Sequence, residues 1–225
     1  MPAAKRDTKK LILDAAEALF SERNFEAVSV REITTKAGVQ LALASYHFKS
    51  KQALFEEIIA RRAELLNQRR RDALRTAQQS GSPSVEQVLE AFTRPYMEFC
   101  IGAEPGWRNY SRLIAQIAQD SQWLPLIERH FNATALIFVD ALCEALPEVP
   151  REGVLRAFVF SIQLMVSAFS NNQRVDTLSH GGVAASDLEA TFAVLIPFLA
   201  GGFHTLPSAQ AAANLSRRKA GALAR

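Results

Sequence analysis

The chain has 225 residues, of which 48% are hydrophobic and 22% charged. That is the balance of an ordinary globular protein long enough to bury its own core. The formal charge of +3 permits an anionic partner without demanding one. Cys100 and Cys143 both lie in apolar stretches, which argues against a disulfide framework and for a reducing compartment. No basic start leads into an apolar run and a small-residue cleavage site, so a cytoplasmic protein is expected. The most apolar run, Ala190 to Phe203, is shorter than the roughly 20 residues of a membrane span and contains Pro197, so it reads as a buried helix.

Strand-like alternation and hairpin turns are absent, and helical signals fill the chain. From Asp7 to Arg23, the pairs Leu11 and Ile12, Ala15 and Ala16, Leu19 and Phe20 build an apolar stripe at helical spacing. Asn24 marks its stop. Ser29-Val30-Arg31-Glu32 is a capping box that starts a second helix, and Ala37-Gly38-Val39 ends it. A third short helix over Gln40 to Phe48 follows, and Ser50 caps a long fourth helix, 51–79. Two short helices joined by a tight glycine turn predict a helix-turn-helix. Ser80-Gly81-Ser82-Pro83 is the clearest break. Beyond it the pattern predicts helices over 84–101, 106–118, 122–146, 151–170 and 186–203, a polar loop from Asn171 to Ala185, and a flexible tail over 207–225 carrying Arg217-Arg218-Lys219.

The strings Ala15-Ala16-Glu17-Ala18-Leu19-Phe20, Asn24-Phe25, Ser29-Val30-Arg31-Glu32-Ile33, Ala37-Gly38-Val39 and Tyr46-His47-Phe48-Lys49-Ser50-Lys51 resemble the TetR family of repressors in register over about 8–56. Gly38 to Lys51 is similar in particular to its fatty-acid-responsive, PsrA-type branch. The resemblance implies an all-α homodimer: a three-helix head over 1–56 that puts its third helix into the DNA major groove, and a body over 57–206 for effector binding and dimerisation. It further implies phosphate contacts from Tyr46, His47, Lys51 and the helix start at Ser29, and places Arg31, Gln40, Ala42 and Ser45 near base edges. Three positions depart from the family pattern: Gln40 replaces a small cap, Leu41 a polar residue and Asn24 a glycine. The chemistry of these side chains supports the assignment independently. Hydroxyls, amides and point charges hold phosphates, while bidentate polar groups or methyls read bases. Lys5, Arg6, Lys9 and Lys10 form a basic arm ahead of the head. The arginines of the fourth helix, Arg61, Arg62, Arg69, Arg70, Arg71 and Arg75, read as a solvated surface.

In the second domain, 151–170 and 186–203 are apolar on more than one face, which calls for a second burial partner beyond the chain's own core. A two-fold four-helix interface is expected there, with Leu195 and Phe203 in it. Aromatic residues cluster between 92 and 138: Phe92, Tyr96, Phe99, Trp107, Tyr110, Trp123, Phe131 and Phe138. With Pro95 inside their helix, they predict an apolar small-molecule cavity. Its expected residues are Phe92, Tyr96, Trp107, Tyr110, Phe131, Met165 and Phe169, with Arg112, Gln116 and His130 as the polar groups that orient a ligand. An acyl, acyl-CoA or aromatic effector suits such a lining. His47, His130, His180 and His204 show no metal-ligand spacing, and there is no CxxC, phosphate loop or nucleophile elbow, so neither a cofactor nor catalysis is expected. Two alternatives stay open at this level: a constitutive DNA-binding protein without an effector, and an enzyme using a helical pocket.

Overall fold

The computed structural model describes residues 7–102, 104–170, 173–208 and 210, and every regular element among them is helical. Lys5 and Arg6 of the basic arm, Asn171 of the polar loop, and the tail residues Arg217, Arg218 and Lys219 lie outside the described residues.

Helices α1 (Thr8–Glu22), α2 (Val30–Ala37) and α3 (Leu41–His47) form the head, and the long α4 (Lys51–Gln78) leaves it for the body. Local chemistry sets each boundary. The Asp7 carboxylate accepts from the Lys10 amide and caps α1. Gly38 ends α2 at φ +66°, a left-handed conformation in which a side chain costs roughly 1–2 kcal/mol. The Ser50 hydroxyl accepts from the Ala53 amide and starts α4. Ile12, Ala16 and Phe20 of α1, Ile33 of α2, Ala44 of α3, and Leu54, Phe55 and Ile58 of α4 fill the head's core.

The body contains α5 (Val85–Ile101), α6 (Pro105–Ile117), α7 (Leu124–Ile127), α8 (Ala133–Ala145), α9 (Arg151–Phe169), α10 (Arg174–Leu178) and α11 (Leu188–His204). A second capping box, Ser84 with Gln87, starts α5. Both α5 and α11 run through an internal proline, Pro95 and Pro197. The predicted helix over 122–146 is continuous but not uniform. A 3-10 turn, Ser121–Trp123, leads into α7, and a π-helical turn, Glu128–Asn132, joins α7 to α8. The loop expected after α9 includes the short α10, closed by hydrogen bonds from Gly181 and Ala185 to the Asp176 carbonyl and carboxylate.

Head and body are packed together, and the seam is built from three kinds of contact. Helix α6 lies against α1, and the Gln116 amide donates to the Ser21 carbonyl at 3.1 Å. Trp123 packs against both Phe25 and Phe55, with ring centroids 5.0 and 4.4 Å away. The third contact is a buried ion cluster. Glu17 of α1 pairs with Arg61 and Arg62 of α4, and Arg62 also reaches Glu104 at 2.8 Å. Burial pulls the Glu17 carboxyl upward in pKa and the two guanidiniums oppose it. A Cβ on Gly106 would stand 1.9 Å from Arg62 Nη2, so any side chain there displaces the Arg62 guanidinium from the cluster.

Candidate nucleic-acid interface and interior cavity

Helix α3 keeps only Ala44 buried, with Phe48 anchoring its end. Ala42, Ser45 and Gln40 are exposed, and so are the apolar Leu41 and Leu43 and the 81% exposed Tyr46. A seven-residue helix that turns leucines and a tyrosine outward has a face without an intramolecular partner. Gln40 sits at its N-cap position, yet its side chain makes no capping bond, so its amide stays available at the leading end. His47 is half-buried, and its ring lies 5.1 Å from that of Tyr46.

At the start of α2 the Ser29 hydroxyl and amide both donate to Glu32 at 2.8 Å, and the Glu32 amide donates back to the hydroxyl. Hydrogen bonds from Ser29 hold the Glu32 carboxyl down to about 2. Ser29 is thereby committed to its capping box. What this helix end offers an anion is the amides of Val30 and Arg31 and the exposed Arg31 guanidinium, which no acidic side chain pairs among the described residues. Lys51 sits at the first turn of α4 with its ammonium 4.2 Å from the Phe25 ring centroid. Of the residues singled out in the head, Arg31, Gln40, Ala42, Ser45 and Tyr46 are exposed.

Between α4, α5, α6, α8 and α9 the body holds a partly open cavity of about 100 Å³. Phe92, Tyr96, Tyr110, Phe131 and Met165 line it, as the aromatic clustering predicts, together with Leu66, Ile114, Ile117, Ile162 and Val166. The π turn contributes Phe131 and Asn132 to this wall, and its His130 carbonyl is taken up by the buried Asn67 of α4 at 2.7 Å.

Five residues expected in the cavity are placed elsewhere. Gln116 binds α1, on the other side of α6 from Tyr110 and Ile114. Trp107 stacks on Phe99 at 3.9 Å and carries the Arg62 guanidinium over its ring at 4.8 Å, so it supports the seam. Arg112 is exposed and, with Phe169, lines a neighbouring cleft beside Cys100 and Ser111. Phe169 meets the cavity only indirectly, through Tyr96, with centroids 6.1 Å apart. His130 faces Glu56 of α4 at 3.7 Å. For Trp107, Arg112 and Gln116 the cause is that α6 is covered on more than one side, and sequence proximity to the aromatics does not say which side a side chain takes. The cavity's cation is instead Arg70, read above as solvated but only 4% exposed. Its signal was present: Leu66, Arg70 and Leu74 follow the four-residue spacing of the α4 core stripe.

A helix-turn-helix head with an unpartnered third helix, fixed on an all-helical body, defines a transcriptional regulator of the repressor type. The family model for bacterial regulatory proteins of the tetR family matches residues 12–58, and that for the tetracyclin repressor-like C-terminal domain matches residues 90–202. The chain belongs to the TetR family, whose members are regulators and not enzymes. Among curated relatives it is 41% identical over 56 residues to the "Probable HTH-type transcriptional regulator YttP" of Bacillus subtilis, covering 25% of this chain and 27% of that protein. It is 36% identical over 58 residues to the transcriptional repressor KstR2 of Mycolicibacterium smegmatis, covering 26% of this chain and 27% of the other. The chain thus matches about a quarter of the length of these relatives. In fold the likeness extends further: a TetR-family regulator from Bordetella parapertussis superposes with a TM-score of 0.63 at 16% identity, covering 91% of this chain and 100% of that one.

Proposed function

We propose that the protein is a dimeric repressor that reads a roughly palindromic operator and is released from it by a small, largely apolar effector. In this reading residues 1–56 are the reading head and 57–206 the sensing and dimerising body. Arg31, Gln40, Ala42 and Ser45 face base edges, while Tyr46, His47, Lys51 and the α2 start at Ser29 hold phosphates. The observation that carries the proposal is the double use of α6. Tyr110, Ile114 and Ile117 line the cavity, and Gln116 of the same helix binds the head's α1. Any molecule that shifts α6 from within therefore bears directly on the head. The second long helix in the cavity wall, α4, enters the head as well.

The two-fold partner is a second copy of the chain. Leu195 and Phe203, expected at the interface, are buried within the chain itself. The outward face of the same two helices carries Val159, Phe160 and Leu164 on α9 and Val194 and Phe198 on α11. A second copy supplies both the cover for these residues and the second reading helix that a palindrome requires.

Two measurements test the proposal. In an operator-binding titration, Lys51→Ala weakens binding alike on every sequence and flattens the salt dependence by about one unit of slope, as loss of one phosphate contact should. Ser45→Ala or Gln40→Ala shifts base preference instead. An unchanged affinity and slope for Lys51→Ala removes its phosphate role. In the same assay a small apolar effector lowers operator affinity, and Ile162→Phe, which fills the cavity, abolishes that response at unchanged affinity for DNA. A tenfold release requires about 1.4 kcal/mol of differential affinity between the two dimer geometries. If no small molecule shifts operator binding, the constitutive reading replaces this one.

A further inference from the structure

The cavity contains more than an apolar ligand needs. Arg70 is fixed there by partners that carry no charge. Its Nε donates to the Phe92 carbonyl at 2.9 Å, its Cζ lies 3.7 Å from the Phe92 ring centroid, and its Nη2 approaches Met165 Sδ at 3.6 Å. Among the described residues no carboxylate pairs with it, whereas Arg62, two turns earlier on the same helix, has two. Burial lowers its pKa to about 10, which leaves it cationic at neutral pH. Tyr96 and Tyr110 line the same space, are fully buried, and have hydroxyls without a hydrogen-bond partner among the described residues. Burial raises both phenol pKa values, so both hydroxyls keep their protons to donate.

A buried guanidinium without a counter-charge and two buried hydroxyls without acceptors are each costly to keep. One acceptor can satisfy all three, provided that it is anionic. We propose that the effector is a small apolar monocarboxylate whose carboxylate pairs with Arg70 and accepts from the Tyr96 and Tyr110 hydroxyls, with its tail against Leu66, Ile114 and Val166. This assignment rests on the reading of the cavity as the effector site. Size narrows the tail. The cavity holds about 100 Å³, less than the apolar cavity of about 150 Å³ that takes up a benzene, so the tail is no larger than a single ring or a short aliphatic chain. A coenzyme A thioester has no carboxylate at its acyl end to pair with Arg70.

The test is calorimetry on the full chain with benzoate and hexanoate against their neutral counterparts benzamide and hexanamide, with operator binding followed in parallel. The acids bind roughly tenfold or more tighter than the amides, a difference of about 1.4 kcal/mol or more. Arg70→Met abolishes that preference and raises the melting temperature of the unliganded protein, because it replaces an unpaired buried charge by an apolar chain of similar length. If Arg70 only clamped the Phe92 carbonyl, the variant would melt lower and keep the preference. Tyr110→Phe, which removes a single oxygen, weakens acid binding severalfold and serves if Arg70→Met does not fold. Equal binding of acids and amides, a preference that survives Arg70→Met, tighter binding of an acyl-CoA, or no binding at all overturns the assignment. If the acids bind as described but operator affinity stays constant, the anion site stands and the release reading falls. If neutral compounds release the operator while acids do not bind, the release reading stands and the anion site falls.

Discussion

Phe198→Glu yields a folded monomer of 24.8 kDa that no longer holds the operator. Phe198 is 66% exposed, Val194 one turn earlier is similarly open, and Phe160 of α9 is 65% exposed. A carboxylate at 198 stays in water within a single chain, so it leaves the core of the body intact. In a two-fold interface the same carboxylate is buried without a partner and faces its own copy, where desolvation and like-charge repulsion act together. Leu195→Glu makes an instructive control: Leu195 is buried in the chain, so that variant loses the fold along with the dimer. Light scattering reports the mass and far-ultraviolet circular dichroism the fold. A Phe198→Glu protein that remains a dimer puts the interface on another face.

Removing Glu17 is the second large effect. Its side chain is 1% exposed and pairs with Arg61 and Arg62, of which Arg62 is itself buried. Glu17→Ala leaves Arg61 with only Asp14 and Arg62 with only the exposed Glu104, and breaking a buried pair from one side costs up to about 3–5 kcal/mol. For a chain of this length that lowers the melting temperature by roughly 6–20 °C. Glu57→Ala removes the partner of Lys9 in a pair that is open to solvent on both sides, which is worth less than about 1 kcal/mol. Thermal unfolding of the two variants side by side decides the matter, and equal losses would mean that the cluster at Glu17 is no stronger than a surface pair.

What the sequence made legible follows from how local each signal is. The capping box at Ser29, the glycine at 38 and the break at Ser80-Gly81-Ser82-Pro83 act within a few residues, so these helix boundaries could be read directly. Aromatic density between 92 and 138 pointed to Phe92, Tyr96, Tyr110 and Phe131 because large rings at helical spacing must find a common interior. Gln116 and Trp107 were placed on the wrong side of α6 since both sides of that helix are covered, one by the cavity and one by α1. Arg70 was overlooked for the opposite reason: five further arginines on α4 made it look like one of a solvated set, although it shares the register of Leu66 and Leu74, as the buried Arg62 also does. The apolar faces of α9 and α11 announced a second partner, but which residues point outward depends on how each helix is rotated against its neighbours. No short pattern announces the π turn at Glu128–Asn132.

The seam also bears on recombination. Cutting the chain near residue 56 and joining the head to the body of a relative looks simple, since α4 is one unbroken helix across the junction. The partners, however, are divided between the two pieces: Glu17 and Phe25 travel with the head, while Arg61, Arg62, Gly106 and Trp123 stay with the body. A transplanted head that lacks an acid at position 17 or a ring at position 25 strands two arginines and an indole against the wrong surface. The head of this protein is therefore exchangeable only together with a matching set of residues some forty to a hundred positions downstream, and the unit that can be swapped is the seam as a whole.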